Sequence, residues 1–141
     1  MKHISQNEND CALACMAMLS NKTLEEIHQL YPEFNGIGVT TEEILYLLRL
    51  LKIEYILYAT PRMIYGRLYL VSVPSLNNKG SHSVIVDLRD WEVSEEDPNV
   101  IVGCCLYDPN QKNNIGRESY SYKDLPLKVF YEVFEILTFN D

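Results

Sequence analysis

Residues 6–19 read QNENDCALACMAML and place a cysteine where a polar stretch meets an apolar one. Asp10 is of a residue type that precedes helices, so the pattern predicts Cys11 in the first turn of a helix. The amides and dipole of a helix N-terminus, together with a nearby imidazolium, lower the pKa of a thiol and favour the nucleophilic thiolate. Cys15 lies four residues later and one turn deeper, which favours a place in the core. Cys11 is therefore the candidate nucleophile.

A thiol nucleophile needs a base, and the chain has three histidines. His82 opens the apolar run HSVIVDL after the loop NNKGS, so its imidazole can project from a strand end into a cleft. We expect His3 to lie in a mobile tail, and His28, within TLEEIHQL, to be a surface histidine or one whose hydrogen bonds are satisfied within the protein. The base must be oriented by an acceptor on its other ring nitrogen. His82 is the candidate base.

Two aspartates could orient His82, because Asp108 and Asp97 both begin an Asp-Pro-Asn tripeptide of the kind found in turns. If HSVIVDL and NVIVGCCLYD are neighbouring antiparallel strands, the start of the first lies beside the end of the second. Asp108 then lies next to His82, whereas Asp97 lies about six residues away along the ladder, or roughly 20 Å at ~3.3 Å per residue. This pairing predicts Asp108 as the partner.

The order Gln6, Cys11, His82, Asp108 resembles that of the papain-like cysteine peptidases. It is most similar to the small bacterial domains that remove bacteriocin leader peptides, often after two glycines. The matching motifs are the glutamine with Asp-Cys and ALACMAML, then GSHSVIV, then Tyr-Asp-Pro, over about residues 6–110. The chain departs from that family at Ala12, where glycine is usual, and in the glutamine-to-cysteine spacing, which is one residue shorter.

The resemblance implies a single papain-like cysteine peptidase domain over residues 1–141, with N-terminal helices packed on a C-terminal antiparallel β-sheet. It implies Cys11 as nucleophile, His82 as general base and acid, and Asp108 as the residue that orients His82. Gln6 would donate to the oxyanion hole, with Asn7 as a substitute. Acyl transfer to the cysteine and hydrolysis of the thioester would cleave a peptide or protein after small residues. No cofactor or metal is implied.

Three alternatives stay open from the sequence. A papain-like fold without turnover would bind a peptide or partner, and an acyltransferase or amidase of the same fold would act on a non-peptide amide or thioester. Cys11, Cys15 and His82 could also bind zinc with Cys104 or Cys105, although the CxxC pattern of zinc knuckles is absent from the sequence.

The elements that must position these residues are predicted by periodicity and caps. A helix is predicted at about residues 11–20, and capping boxes predict helices that begin after Thr23 and after Thr40. From residue 53 onward, short β-branched and aromatic runs predict strands in IEYILYA, RLYLVSV, HSVIVDL and NVIVGCCLYD, and we favour a strand in KVFYEVFEILTF. Helices followed by strands predict an α+β fold.

Composition narrows the class of protein. The net charge of -8 argues against nonspecific nucleic-acid binding, which needs clustered Lys and Arg. The sequence has no apolar run near the ~18 residues of a membrane span, and MKHISQNEND has no apolar signal core. We therefore expect no membrane span, and reduced thiols in a cytoplasmic setting. The acidic residues 92–97 are expected to form a solvated loop.

Overall fold

A computed structural model describes most of the chain, and the statements below concern that part. The described residues are 1–60, 62–64, 66–74, 81–90, 92–93, 95–97, 101–102, 104–110, 115–120 and 132–138. For residues 92–93, 101–102, 104–105 and 115–120 the description covers the backbone.

Three helices form where the sequence predicts them: α1 (Cys11–Ser20), α2 (Leu24–Leu30) and α3 (Thr41–Leu50). Both predicted capping boxes are confirmed. The side chains of Thr23 and Thr40 accept the backbone N–H of the glutamate three residues later, and that glutamate accepts the threonine N–H. Helix α1 is buried along its whole length after Cys11, whereas α3 buries one stripe.

The strands follow the helices, which confirms the predicted α+β class. They are β1 (Tyr55–Leu57), β2 (Leu68–Pro74), β3 (Ser81–Asp87), β4 (Glu92–Val93), β5 (Ile101–Val102), β6 (Cys104–Asp108), β7 (Ile115–Tyr120) and β8 (Glu132–Ile136). In the part of the chain that the structure describes, six strands form one antiparallel sheet in the order β1-β8-β2-β3-β6-β7. Strands β4 and β5 pair with each other apart from it.

The predicted pairing of HSVIVDL with CCLYD is confirmed, because β3 and β6 are antiparallel neighbours. The strand predicted over 99–108 is wrong as one unit: β5 pairs with β4, and β6 joins the main sheet. The solvated loop predicted at 92–97 is also wrong in part, since β4 occupies its start, while 95–97 are exposed. The strand favoured near the C-terminus is confirmed for β8.

The helices cover one face of the sheet. On that face Leu70, Ile85 and Phe134 join the helices in one apolar cluster, and α1 packs on β3. The opposite face carries a second apolar cluster that includes Tyr69 and Val86. Because α1 lies against β3, the first residue of the helix is brought to the start of that strand. Among the described residues, no helix has both the length and the apolarity to cross a bilayer.

Candidate active site

Cys11 is the first residue of α1, as predicted, but Asp10 does not cap the helix. Its Oδ1 accepts the Asn7 N–H at 2.7 Å, and its Oδ2 lies 2.8 Å from Nε2 of His28. Asp10 is almost fully buried, and its carboxylate is used by these two partners rather than by the helix amides. The amides of the first turn are therefore left without a side-chain cap.

The Cys11 sulfur has three hydrogen-bonding neighbours. The Ser83 N–H donates to Sγ at 3.4 Å, and the sulfur also receives hydrogen bonds from the Ala12 N–H and from His82. Burial of the sulfur works to raise the thiol pKa and is the largest single influence. The hydrogen bond and charge of His82, with the two amides, outweigh it, so the pKa of Cys11 lies below its ordinary value of 9.0.

His82 and Asp108 meet through the register of two strands. Val86 of β3 pairs with Leu106 of β6, so residues an even number of positions along share that face. Asp108 is two positions along β6 and His82 is four positions along β3, which makes them diagonal neighbours on the face opposite the helices. His82 is also near the start of β3, and there the Cys11 sulfur at the start of α1 reaches its ring. Nε2 of His82 lies 2.6 Å from Oδ1 of Asp108. The Asn110 N–H donates to the same oxygen at 2.9 Å and fixes the carboxylate.

The charge state of His82 follows from its two partners. Burial of the ring works to lower the imidazole pKa and is the largest influence, but the hydrogen bonds and charges of Asp108 and Cys11 together raise it to about 9. Nε2 is engaged by Asp108, so Nδ1 is the ring nitrogen left for the sulfur. The lowered pKa of the Cys11 thiol and the raised pKa of the His82 imidazole both shift the two groups toward a thiolate–imidazolium pair.

The N-terminal tail is part of the site, and the expectation that it is mobile is wrong. Nε2 of His3 donates to the carbonyl oxygen of Asp108 at 2.6 Å. Three residues on, the Gln6 N–H donates to the carbonyl oxygen of Pro109 at 2.7 Å. These two hydrogen bonds tie the tail to the end of β6 and hold Gln6 beside the site. The first few residues of a domain are usually poorly ordered unless contacts tie them down, and the sequence does not reveal these contacts.

Gln6 borders the same cleft as Cys11, Ala12 and His82. Its Oε1 is buried, with no hydrogen-bond partner among the described residues. Asn7, the other candidate donor, is exposed and is not part of the cleft lining that the structure describes. Of the two candidates, Gln6 is therefore the one that borders the same cleft as Cys11.

The cleft has a volume of about 880 Å³ and runs between the α1 N-terminus, the loop that precedes α3, and the sheet. Its apolar wall includes Ile37, Val39 and Ile44, and its floor is polar. Ile37 is 80% exposed, although it is a large aliphatic residue, and it stands at the rim. A volume of this size lies within the range of ligand-binding pockets in proteins.

The polar floor is a feature that sequence reasoning missed. Ser72 pairs with Ser83 on one side and with Glu132 on the other, so the three form a row across β3, β2 and β8. They occupy the helix-facing positions next to Leu70, Ile85 and Phe134. The sequence does contain a sign of this row. Each of the three strands has a polar residue at a helix-facing position, where a strand that faces the core usually has an apolar residue.

Cys15, the other cysteine whose side chain the structure describes, is not part of the site. Cys15 is fully buried, and burial, with smaller contributions from the charges of Cys11 and Asp108, raises its thiol pKa well above the ordinary value. Cys11 and Cys15 are both free thiols. Within the described residues, no three His, Cys, Asp or Glu side chains form a group able to hold a metal. The side chains of Cys104 and Cys105, which the zinc alternative requires, lie outside the description.

No family model matches the chain, and no curated protein sequence matches it.

Proposed function

We propose that this chain is a papain-like cysteine peptidase that hydrolyses a peptide bond through a thioester on Cys11. The observation that carries the proposal is the placement of the His82 ring between the Cys11 sulfur and the Asp108 carboxylate, at a helix N-terminus that faces an open cleft. A histidine that only stabilises the fold can also form hydrogen bonds, so the hydrogen bond to Asp108 is not sufficient evidence by itself. A histidine shared between a partly accessible thiol and a buried carboxylate is what nucleophilic catalysis requires.

In the first step, the Cys11 thiolate attacks the carbonyl carbon of the peptide bond and forms a C–S bond. The carbonyl π electrons move to oxygen and give a tetrahedral oxyanion. When the intermediate collapses, the C–N bond breaks and the imidazolium of His82 gives its proton to the leaving amine. The products of this step are a free amine and a thioester on the enzyme.

The pair of pKa shifts explains why His82 can both hold a proton and release it. Its raised pKa depends on the sulfur as well as on Asp108. Attack on the carbonyl carbon removes the negative charge on the sulfur and its hydrogen bond to the ring. The pKa of His82 then falls, and the ring becomes a better acid when the amine needs a proton. Asp108 keeps the ring oriented throughout.

The oxyanion would be stabilised by the uncapped N-terminus of α1 and by Gln6. The first hydrogen bond within α1 runs from the Ala14 N–H to the Asp10 carbonyl oxygen at 3.0 Å, so the Cys11 N–H precedes it. Gln6 borders the same cleft and carries an amide donor. Each donor aimed at a developing oxyanion contributes roughly 3 kcal/mol to lowering the barrier.

In the second step, neutral His82 takes a proton from water, and the resulting hydroxide attacks the thioester carbonyl. The C–S bond breaks, the acid product leaves, and the thiolate–imidazolium pair is restored. The substrate we propose is a peptide or protein segment that enters the cleft extended. Ala12 is buried and lines the cleft beside the nucleophile, where its methyl group occupies space and so favours small residues at the cleaved bond.

A tagged peptidyl electrophile and a peptide library test this proposal together. We expect mass mapping to find the tag on Cys11, and the library to be hydrolysed by the wild type and by Cys15→Ala but not by Cys11→Ala. Tagging of another cysteine in folded protein would contradict the choice of nucleophile. Tagging of Cys11 without hydrolysis of any peptide would contradict the peptidase activity and favour a silent binding module or an acyltransferase.

A further inference from the structure

One carboxylate on the cleft floor has no part in the chemistry described above. Glu132 is the first residue of β8, is half-buried and borders the same cleft as Cys11. The Thr41 hydroxyl donates to its Oε2 at 2.6 Å, which holds the carboxylate group in one orientation. Thr41 is itself the first residue of α3 and also borders the cleft. The side chain is therefore positioned, rather than free in solvent.

The distance from Glu132 to the nucleophile follows from the sheet. The Ser83 N–H donates to the Cys11 sulfur, Ser83 pairs with Ser72, and Ser72 pairs with Glu132. Neighbouring strands are ~4.8 Å apart, so two steps across the sheet place Glu132 roughly 10 Å from Ser83. An extended peptide advances ~3.3 Å per residue. A substrate side chain that contacts Glu132 would therefore lie within about three residues of the peptide bond at Cys11.

The charge of the cleft leaves this carboxylate available to a ligand. No lysine or arginine occurs among the cleft-lining residues that the structure describes, and none of the described cations pairs with Glu132. The thiolate of Cys11 and the imidazolium of His82 compensate each other within the same cleft. Among the described lining residues, Glu132 therefore contributes a negative charge that no cation compensates. A carboxylate that lines a cleft attracts an ammonium or guanidinium group from the ligand.

We propose that Glu132 is a specificity-determining residue that binds a lysine or arginine side chain of the substrate, within about three residues of the cleaved bond. This inference rests on the proposed peptidase function and names its substrate class. The basic side chain would lie along the row of Ser72 and Ser83 and donate to the carboxylate oxygen that Thr41 does not engage.

The first experiment uses peptides that the wild-type protein hydrolyses, in which lysine or its neutral isostere norleucine is placed at each of three positions on either side of the cleaved bond. At one position we expect kcat/KM to be about tenfold higher with lysine, the effect of one charge-assisted hydrogen bond. Glu132→Gln should remove that preference, and its far-ultraviolet circular dichroism spectrum should match that of the wild type if the variant is folded. Glu132→Lys should favour glutamate at the same position.

Glu42→Gln is the matched control, because it removes one negative charge from an exposed residue next to Thr41 that is not part of the described cleft lining. It should keep the full preference for lysine. Equal hydrolysis of lysine and norleucine peptides, or a preference that survives Glu132→Gln, would overturn the inference while the peptidase function stands. Failure to hydrolyse any peptide would instead count against the proposed function.

A second measurement does not need turnover. Methanethiosulfonates carry a cationic or an anionic group to a thiol: the thiolate attacks the reagent's sulfenyl sulfur, an S–S bond forms, and methanesulfinate leaves. At low ionic strength the ratio of cationic to anionic labelling rates at Cys11 should fall about tenfold in Glu132→Gln. It should not change in Glu42→Gln. An unchanged ratio in Glu132→Gln would contradict the inference even if no peptide were ever hydrolysed.

Discussion

Helices α1 and α3 both begin after a residue of a type that commonly caps helices. Only the residue before α3 forms a side-chain cap. At α3, Thr40 accepts the Glu43 N–H at 3.2 Å, and Glu43 accepts the Thr40 N–H at 3.2 Å. At α1, Asp10 makes no side-chain cap and binds Asn7 and His28 instead. The capped end satisfies its own amides. The uncapped end leaves amides beside the Cys11 sulfur.

The difference shows where each helix obtains its stability. A side-chain cap contributes about 1 kcal/mol, which matters for the short, partly exposed helices α2 and α3. Helix α1 does without it because every residue from Ala12 to Ser20 is buried against the rest of the protein. We therefore expect substitutions at the N-terminus of α1 to reduce turnover more than stability. Substitutions at the capped N-termini of α2 and α3 should reduce stability more than turnover.

The largest effect on the α1 side is expected from Asp108→Ala. Without the carboxylate, the His82 ring loses its orientation and part of the support for its raised pKa. Turnover should fall by roughly three orders of magnitude with the fold retained, as measured by steady-state kinetics and far-ultraviolet circular dichroism. Asp97→Ala is the control and should be nearly silent. A large loss of turnover in Asp97→Ala with little loss in Asp108→Ala would contradict the orienting role of Asp108. It would also contradict the expected difference between the α1 end and the capped helix ends.

A smaller effect on the same side is expected from Gln6→Ala. If the amide stabilises the oxyanion, turnover should fall by roughly two to three orders of magnitude. The rate at which iodoacetamide alkylates Cys11 should stay nearly the same, because that reaction forms no oxyanion. Asn7→Ala, which changes an exposed side chain and keeps the backbone N–H that binds Asp10, serves as the control. Unchanged turnover in Gln6→Ala would mean that backbone amides alone complete the oxyanion hole.

The smallest effect tests the capped side. Thr23→Ala removes the hydroxyl that accepts the Glu26 N–H at 3.0 Å at the start of α2. The free energy of unfolding, measured by urea denaturation, should fall by about 1 kcal/mol, while kcat/KM stays the same. Thr23→Ser keeps an acceptor and should recover most of the loss. A fall in kcat/KM without a fall in stability would remove the distinction between the two kinds of helix end.

Features that depend on nearby residues or on regular strand pairing could be predicted from the sequence. Capping boxes located α2 and α3, and a strand-pairing argument led from two identical tripeptides to the aspartate that holds His82. The sequence was insufficient for Asp10, because the residue type indicates a cap but a long-range partner, His28, takes the carboxylate. The anchoring of His3 and the place of Glu132 were likewise missed, since both depend on contacts about 90 residues or more away in the chain.

The central claim is that Cys11 and His82 form one ionised pair, and the pH dependence of Cys11 alkylation tests it most directly. Iodoacetamide labelling of the wild type, followed by mass mapping, should show thiolate reactivity that appears below the ordinary thiol pKa of 9.0. A second change is expected near 9, where His82 loses its proton. In His82→Ala, burial acts on the sulfur without the imidazolium, so the midpoint should move to higher pH and the second change should disappear. The same midpoint in both proteins would contradict the account.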